Sequence, residues 1–390
     1  MKRPLLLLFL LLAPAMMRAQ MQLYSLDFDV SQKDFADTIA IDYEKQRVVV
    51  PVTVGGKSMR FLLDTGASQT TIYDDVELEG AEMGGFIVSH DAVATSRKVP
   101  TMKLPPMTIG HTTFTGMQAI VQHRAVKGSS IDGIVGFDLV CKGLHMKIDV
   151  RQRQLILSDR YNSFDSEGGV RLKYRLNFHV PYINIEPFSG YSERVLFDTG
   201  SRHLYMMNRN SFDKGEAKTR GACLSQVEGR SMGRHAIGHG GTEQRGETLF
   251  LALERLQIGT FALNDVHTLS TQGGSHVGAA LLQYGTVAFN PERKRMYFVP
   301  YDQATAVTVG NRQTEKTIVP IDGRPVVGLV WERGEAYSAG LREGDTIVMV
   351  DGRSIGSMAD YLRFGPRHGQ EYTIVVTDAE GHRKEIRMTW

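Results

Sequence analysis

One short motif occurs twice in this chain, and that repeat constrains the fold more than any other feature. Residues 61–66 read FLLDTG and residues 195–200 read VLFDTG, 134 positions apart. Three further correspondences follow in the same order. Glu79–Phe114 lines up without gaps on Glu228–Leu263 at an offset of 149, GIVGFDLV (133–140) on HVGAALLQ (276–283), and KIDVRQRQLIL (147–157) on AFNPERKRMYF (288–298). Four blocks repeated in one order mean a duplicated unit, and such a repeat sets the architecture before any local pattern does. The change of offset from 134 to 149 puts 15 extra residues after the second triplet, and the first copy carries extra residues of its own around Gln122–Ser130.

Inside each copy the patterns are those of strands. Val48–Val54 is rich in β-branched residues, Gly55-Gly56 marks a turn, and Arg60–Leu63 resumes. Val99–Leu104, Met107–Ile109 and Met117–Val121 read as further strands, and Gln154–Leu157 and Met296–Val299 close the two copies. Helical patterning is confined to Phe137–Leu144 and Ala279–Tyr284, one short helix each. The fold class is therefore mostly β, with two duplicated barrel-like lobes at 20–160 and 161–300. Forty glycines in 390 residues, above the usual ~7%, suit a chain with many turns.

Each triplet ends an apolar strand: Phe61-Leu62-Leu63 before Asp64, and Val195-Leu196-Phe197 before Asp198. A carboxylate at the end of a buried strand is costly unless hydrogen-bonded. Gly66 and Gly200 permit a tight turn, and Thr65 and Thr199 bring hydroxyls that bond nearby backbone. A twofold arrangement of the lobes would bring Asp64 and Asp198 together. Two adjacent carboxylates share one proton near working pH, so one can donate to a peptide carbonyl while the other activates water.

With these residues the chain resembles the aspartic proteases of the retropepsin and pepsin type. The resemblance rests on Phe61–Ser68, Val195–Ser201 and the Ile134-Val135-Gly136 element, and covers most of 40–300. It implies a bilobal acid-protease fold, a catalytic pair Asp64 and Asp198 in turns supported by Thr65, Gly66, Thr199 and Gly200, and a peptide or protein substrate. Both copies lie in one chain, so a monomer is expected, without cofactor. Two departures stand out: His276-Val277-Gly278 has a polar residue where the family element is apolar, and Arg202 adds charge beside the second turn. The resemblance also implies a covering hairpin after each turn, with Gly84, Gly85 and Gly233 as flap candidates.

Other polar residues point to less. His235 and His239 are four apart, but HAIGHGG is too Gly-rich for a helix and brings no third ligand, so no metal site is expected. His90 falls on His239 in the repeat. Cys141 and Cys223 are the only cysteines, which excludes a disulfide scaffold and leaves open whether they pair.

After Tyr301 the composition changes. Residues 301–317 read as a polar linker and 318–390 as a separate domain. There, Ala336–Leu341 is a short helix, Thr346–Val350 a strand, Asp351-Gly352 a hairpin turn, Met358–Phe364 a helix, and Tyr372–Thr377 and Lys384–Thr389 strands. The run AGLREGDTI (339–347) followed by Val350-Asp351-Gly352 resembles a bacterial-type PDZ domain, which implies capture of an extended peptide, often its C-terminus, as an added strand. A Gly-Leu-Gly-Phe-like loop is not evident.

At the other end, Lys2-Arg3 and the apolar run Leu5–Ala15 read as a secretory signal peptide over 1–19, with Gln20 as the mature N-terminus. Gln20–Ala40 is then either a short pro-segment or a first strand. The run is too short to span a membrane, and no other segment approaches spanning length. An exported protein of a bacterial periplasm or cell exterior is expected. A net charge of +2 supplies no footprint for nucleic acid. The competing reading is a non-catalytic exported peptide-binding or chaperone-like module.

Overall fold

In the computed structural model, residues 24–90, 96–124, 129–238, 241–310 and 314–390 are described; the segment read as a signal peptide lies outside them. Strand formation follows the β-branched runs. Arg47–Val54 and Lys57–Leu63 form an antiparallel hairpin, and the second strand runs straight into Asp64. Gly133–Val135 lies parallel to it, Val135 beside Leu63. The second copy repeats this plan: Tyr191–Asp198 carries the triplet's Asp, and His276–Gly278 lies parallel with Val277 beside Phe197. These two pairings differ by 142 residues, so the GIVGFDLV and HVGAALLQ strings equate after a shift of one residue. Asp138–Cys141 is a single helical turn and Ala279–Gln283 a 3-10 turn, both where short helices were expected.

A sheet built from both copies joins the lobes. Its order runs from Val170–Lys173 through Arg295–Pro300, Gly285–Asn290, His145–Asp149 and Gln154–Ser158 to Ala36–Ala40. At its centre Lys147 pairs with Ala288, its own counterpart 141 residues on, so the pseudo-twofold axis passes through that pair. Ala36–Ala40 is thus a strand of this sheet. The lobes also share a core: the Phe289 ring meets Phe137 at 5.0 Å and Phe197 at 5.8 Å between centroids. Each such side chain taken from water contributes roughly 1.5–3 kcal/mol.

One element was not foreseen. The 15 extra residues of the second copy hold an 11-residue helix, Arg209–Thr219, capped by Asn208, whose side chain accepts from the Ser211 amide. Only Phe212 and Gly215 of it are buried, so no apolar stripe marks it in the sequence. Cys141 and Cys223 are both free thiols. Among the described residues no helix is long and apolar enough to cross a membrane.

The C-terminal domain is a six-stranded sheet around Val327, Ile347, Ile374, Val376 and Ile386, with the helix Met358–Phe364 as expected. It is docked on the second lobe. The Arg234 amide donates to the Gly328 carbonyl (2.7 Å), and the Thr242 hydroxyl donates to the Pro320 carbonyl (3.2 Å). Arg245 pairs with Glu343 (2.8 Å). Leu329 joins Met206, Phe250 and Leu269 in one apolar cluster, with Trp331 packed on Phe250. Within the stretch read as a linker, Ala306–Thr308 runs parallel to Ala262–Asn264 of the second lobe.

Candidate active site

The two triplets meet across the lobe boundary and hold each other. The Thr65 hydroxyl donates to the Phe197 carbonyl (2.6 Å) and accepts from the Thr199 amide (3.1 Å). The Thr199 hydroxyl donates to the Leu63 carbonyl (2.7 Å) and accepts from the Thr65 amide (3.0 Å). Both threonines are buried, so these four bonds form where water does not compete. They satisfy strand-end groups that would otherwise be orphaned inside the protein.

The turns then present the carboxylates to one another. The amides of Gly66 (2.8 Å) and Ala67 (3.1 Å) donate to Asp64 Oδ1. Those of Gly200 (2.9 Å) and Ser201 (3.2 Å) donate to Asp198 Oδ1. A Cβ on Gly66 would stand 2.7 Å from the Asp198 carboxyl carbon, and one on Gly200 would stand 2.4 Å from that of Asp64. Glycine is therefore required at each turn because the opposite carboxyl occupies the space a side chain would take. Burial raises both carboxyls above the ordinary range. Asp64 rises further, through the Asp198 charge and their mutual hydrogen bond. Such a pair titrates as a unit and retains one proton.

The parallel strands behind the turns fix their position. The Phe137 amide donates to the Ala67 carbonyl (2.8 Å), and the Ala279 amide to the Ser201 carbonyl (2.8 Å). In the first lobe the buried Asp138 carboxylate accepts from the Thr70 amide (2.7 Å) and hydroxyl (3.2 Å), and burial pushes its pKa up to about 6. The second lobe uses His276 instead. Its Nδ1 lies 2.9 Å from the Gly274 carbonyl, which can only accept, so Nδ1 holds the proton and Nε2 accepts from the Ser201 hydroxyl (2.9 Å). Burial holds the imidazole neutral. The polar residue at the otherwise apolar element thus anchors the residue three past Asp198.

Residues 50–139 match the family model described as an aspartyl protease. Residues 326–376 match that of a PDZ domain. This chain joins an aspartyl protease domain to a PDZ domain. Among solved structures, the aspartic proteinase from Irpex lacteus is similar over 69% of this chain and 98% of that one, at 15% identity and a TM-score of 0.46. No curated protein sequence matches the chain.

The flap candidates are placed differently from one another. Gly84 and Gly85 lie at an irregularity between Met83 and Phe86 in the strand Glu82–His90, one arm of a hairpin with Ser96–Lys103. A Cβ on Gly84 would come 2.5 Å from the Thr101 hydroxyl, so close packing on the neighbouring strand explains that glycine. Residues 91–95, between the two arms, lie outside the described residues, as does His239. Gly233 ends the strand Val227–Gly233, and a Cβ there would come 2.4 Å from the Gly328 carbonyl of the PDZ domain. It is packed at the domain junction, which does not fit a hinge of a free lid. His235 is buried, its ring Nε2 2.8 Å from the Ser270 carbonyl and its amide donating to Glu243, a structural role. Among the described residues the one cluster of potential metal ligands is Asp378, Glu380 and His382, in the PDZ domain. Sequence reasoning missed Arg47, which lies beside the pair. Its signal was available in the register: continuing Val50–Phe61 and Val49–Leu62 sets Arg47 across from Asp64.

Proposed function

We propose that this protein is an exported aspartic endopeptidase in which Asp64 and Asp198 activate water, and in which the PDZ domain recruits or orients peptide. The observation that carries the reading is the pair of carboxyls, Asp198 buried and Asp64 half-buried, hydrogen-bonded to each other at the tips of two interlocked turns. With one proton shared, the charged carboxylate takes a proton from water as the oxygen attacks the scissile carbonyl carbon. The neutral carboxyl gives its proton to the carbonyl oxygen. Return of a proton to the amide nitrogen then breaks the C–N bond. Both turns reside in one chain, so the reading includes a competent monomer. The basic start and short apolar run of residues 1–19 support export to a periplasm or the cell exterior.

The test is cleavage of a denatured protein between about pH 3 and pH 8, with and without a transition-state-mimicking aspartic protease inhibitor. Inhibitable cleavage that disappears in Asp64→Asn and in Asp198→Asn, with circular dichroism unchanged, is expected. Cleavage surviving in both variants refutes the reading. Cleavage at no pH would favour the peptide-binding module instead.

A further inference from the structure

Arg47 stands beside the aspartate pair and Arg202 stands near Arg47, neither held in an ion pair among the described residues. Arg47 lies across from Asp64 by strand register, and its charge acts on both Asp64 and Tyr73. Arg202 follows Asp198 by four residues, and the charge of Arg47 reaches it across the lobe boundary. The two like charges are thus neighbours. Arg47 is half-buried and Arg202 exposed, and both are cationic. The Nε of Arg47 is fully covered and has no hydrogen-bond partner. Among the described residues neither guanidinium forms an ion pair. Two other arginines of covered positions are paired, Arg124 with Asp75 and Arg209 with Glu247 and Asp213.

An uncompensated guanidinium in a covered site, as at Arg47, is costly unless an anion arrives to meet it, and Arg202, exposed to solvent, is open to the same arrival. The charge count agrees. With its shared proton the aspartate pair carries one negative charge against two arginines, which leaves the centre of the cleft positive by about one. The nearby imidazoles do not add to it, since burial holds His203 at about 3 and keeps His276 neutral. The feature is also one-sided. In the second lobe the register of Ile183 with Val195 and Tyr182 with Leu196 sets buried Val180 across from Asp198. The first-lobe counterpart of Arg202, at the triplet offset of 134, is Ser68. A symmetric structural clamp would appear twice, whereas a subsite that reads one end of a directional peptide appears once.

We propose that Arg47 and Arg202 form an anion subsite that selects peptides bearing an Asp or Glu side chain near the bond cleaved. This rests on the aspartic-protease reading and narrows its substrate class. A carboxylate held by two guanidinium groups is the strong, charge-assisted case, with fork geometry suited to it.

The experiment uses end-blocked peptides in which a Glu, or its uncharged counterpart Gln, is moved residue by residue across the bond cleaved. At one or two positions the full-length protein should prefer Glu by about tenfold or more in kcat/KM, mostly through KM. That preference should shrink in Arg202→Gln and in Arg47→Gln, survive in Arg47→Lys, and turn toward Lys in Arg202→Glu. A Glu-to-Gln ratio near one at every position, or an undiminished ratio in both Gln variants, overturns the proposal. The same peptides built around an uncleavable hydroxyethylene linkage, with Kd from calorimetry, separate the two readings. Absence of cleavage overturns the protease reading, whereas equal Kd for Glu and Gln overturns the anion subsite alone. Tighter binding of Glu that is lost in Arg202→Gln supports the subsite by itself.

Discussion

Replacing Thr65 by Val keeps the shape of the side chain and removes one hydroxyl. That hydroxyl makes two bonds to the other lobe, donating to Phe197 and accepting from the Thr199 amide. Its loss leaves a carbonyl and an amide unsatisfied at a buried position. Each orphaned group costs roughly 1–3 kcal/mol, so Thr65→Val should destabilise the protease domain by roughly 2–6 kcal/mol. Thr65→Ser retains the hydroxyl and should cost about 1 kcal/mol or less, the rest of the effect being one lost methyl. Urea unfolding followed by far-UV circular dichroism reports the lobes, because the two tryptophans, Trp331 and Trp390, lie in the C-terminal part and give a separate fluorescence signal. A dichroism transition for Thr65→Val within about 1 kcal/mol of the parent would refute the claim that the reciprocal threonine bonds hold the lobes in register. So would a Ser variant as damaged as the Val variant.

Three further outcomes are expected. Gly278→Ala would place a Cβ 2.3 Å from the His203 carbonyl and 2.6 Å from that of Ser201, so about 1–3 kcal/mol of stability and most peptidase activity should be lost, measured by thermal melts and initial rates. Asp138 has a folded pKa of about 6, above an unfolded value near about 3.9, so the folded state holds the proton longer. Its contribution to stability is complete below the unfolded value and is lost as pH rises through about 6. Asp138→Asn should flatten that part of the Tm-against-pH curve, leaving a residual slope of the same sign from the aspartate pair. Trp331→Ala, at a half-buried site, should remove about 1–3 kcal/mol of packing at the PDZ junction and separate the fluorescence and dichroism transitions, which differential scanning calorimetry would register as two peaks.

What could be read in advance was whatever repeats or alternates. The triplets, the strands around them and most of the PDZ elements are local patterns: Met107–Ile109, Thr346–Val350 and Met358–Phe364 fall where periodicity put them. The duplication carried the long-range information, since it related Asp64 to Asp198 before any contact was known. The helix Arg209–Thr219 was located only as an insertion, because RNSFDKGEAKT buries two residues and rests on a cap and polar contacts. What Gly233 packs on was not legible, because its neighbour is Gly328, almost a hundred residues on, and nothing local marks an interdomain contact. His276 looked like a defect in an apolar element until its bonds to Gly274 and Ser201 were seen. The two arginines were hidden for a related reason. A missing partner is a property of surroundings, and single-residue patterns do not record it.

If the protein is the protease proposed, the crossed threonine bonds also bear on when activity can arise during synthesis. A ribosome that has released the first lobe has made Asp64, but Thr65 then has no Phe197 carbonyl or Thr199 amide to engage. Its turn lacks the neighbour that raises the carboxyl and shares its proton. On the proposed reading, a half-made chain holds only one of the two carboxyls that the reaction needs. On that reading competence arrives once the second triplet has folded against the first, and the PDZ domain, which docks on that same lobe, follows it in the chain.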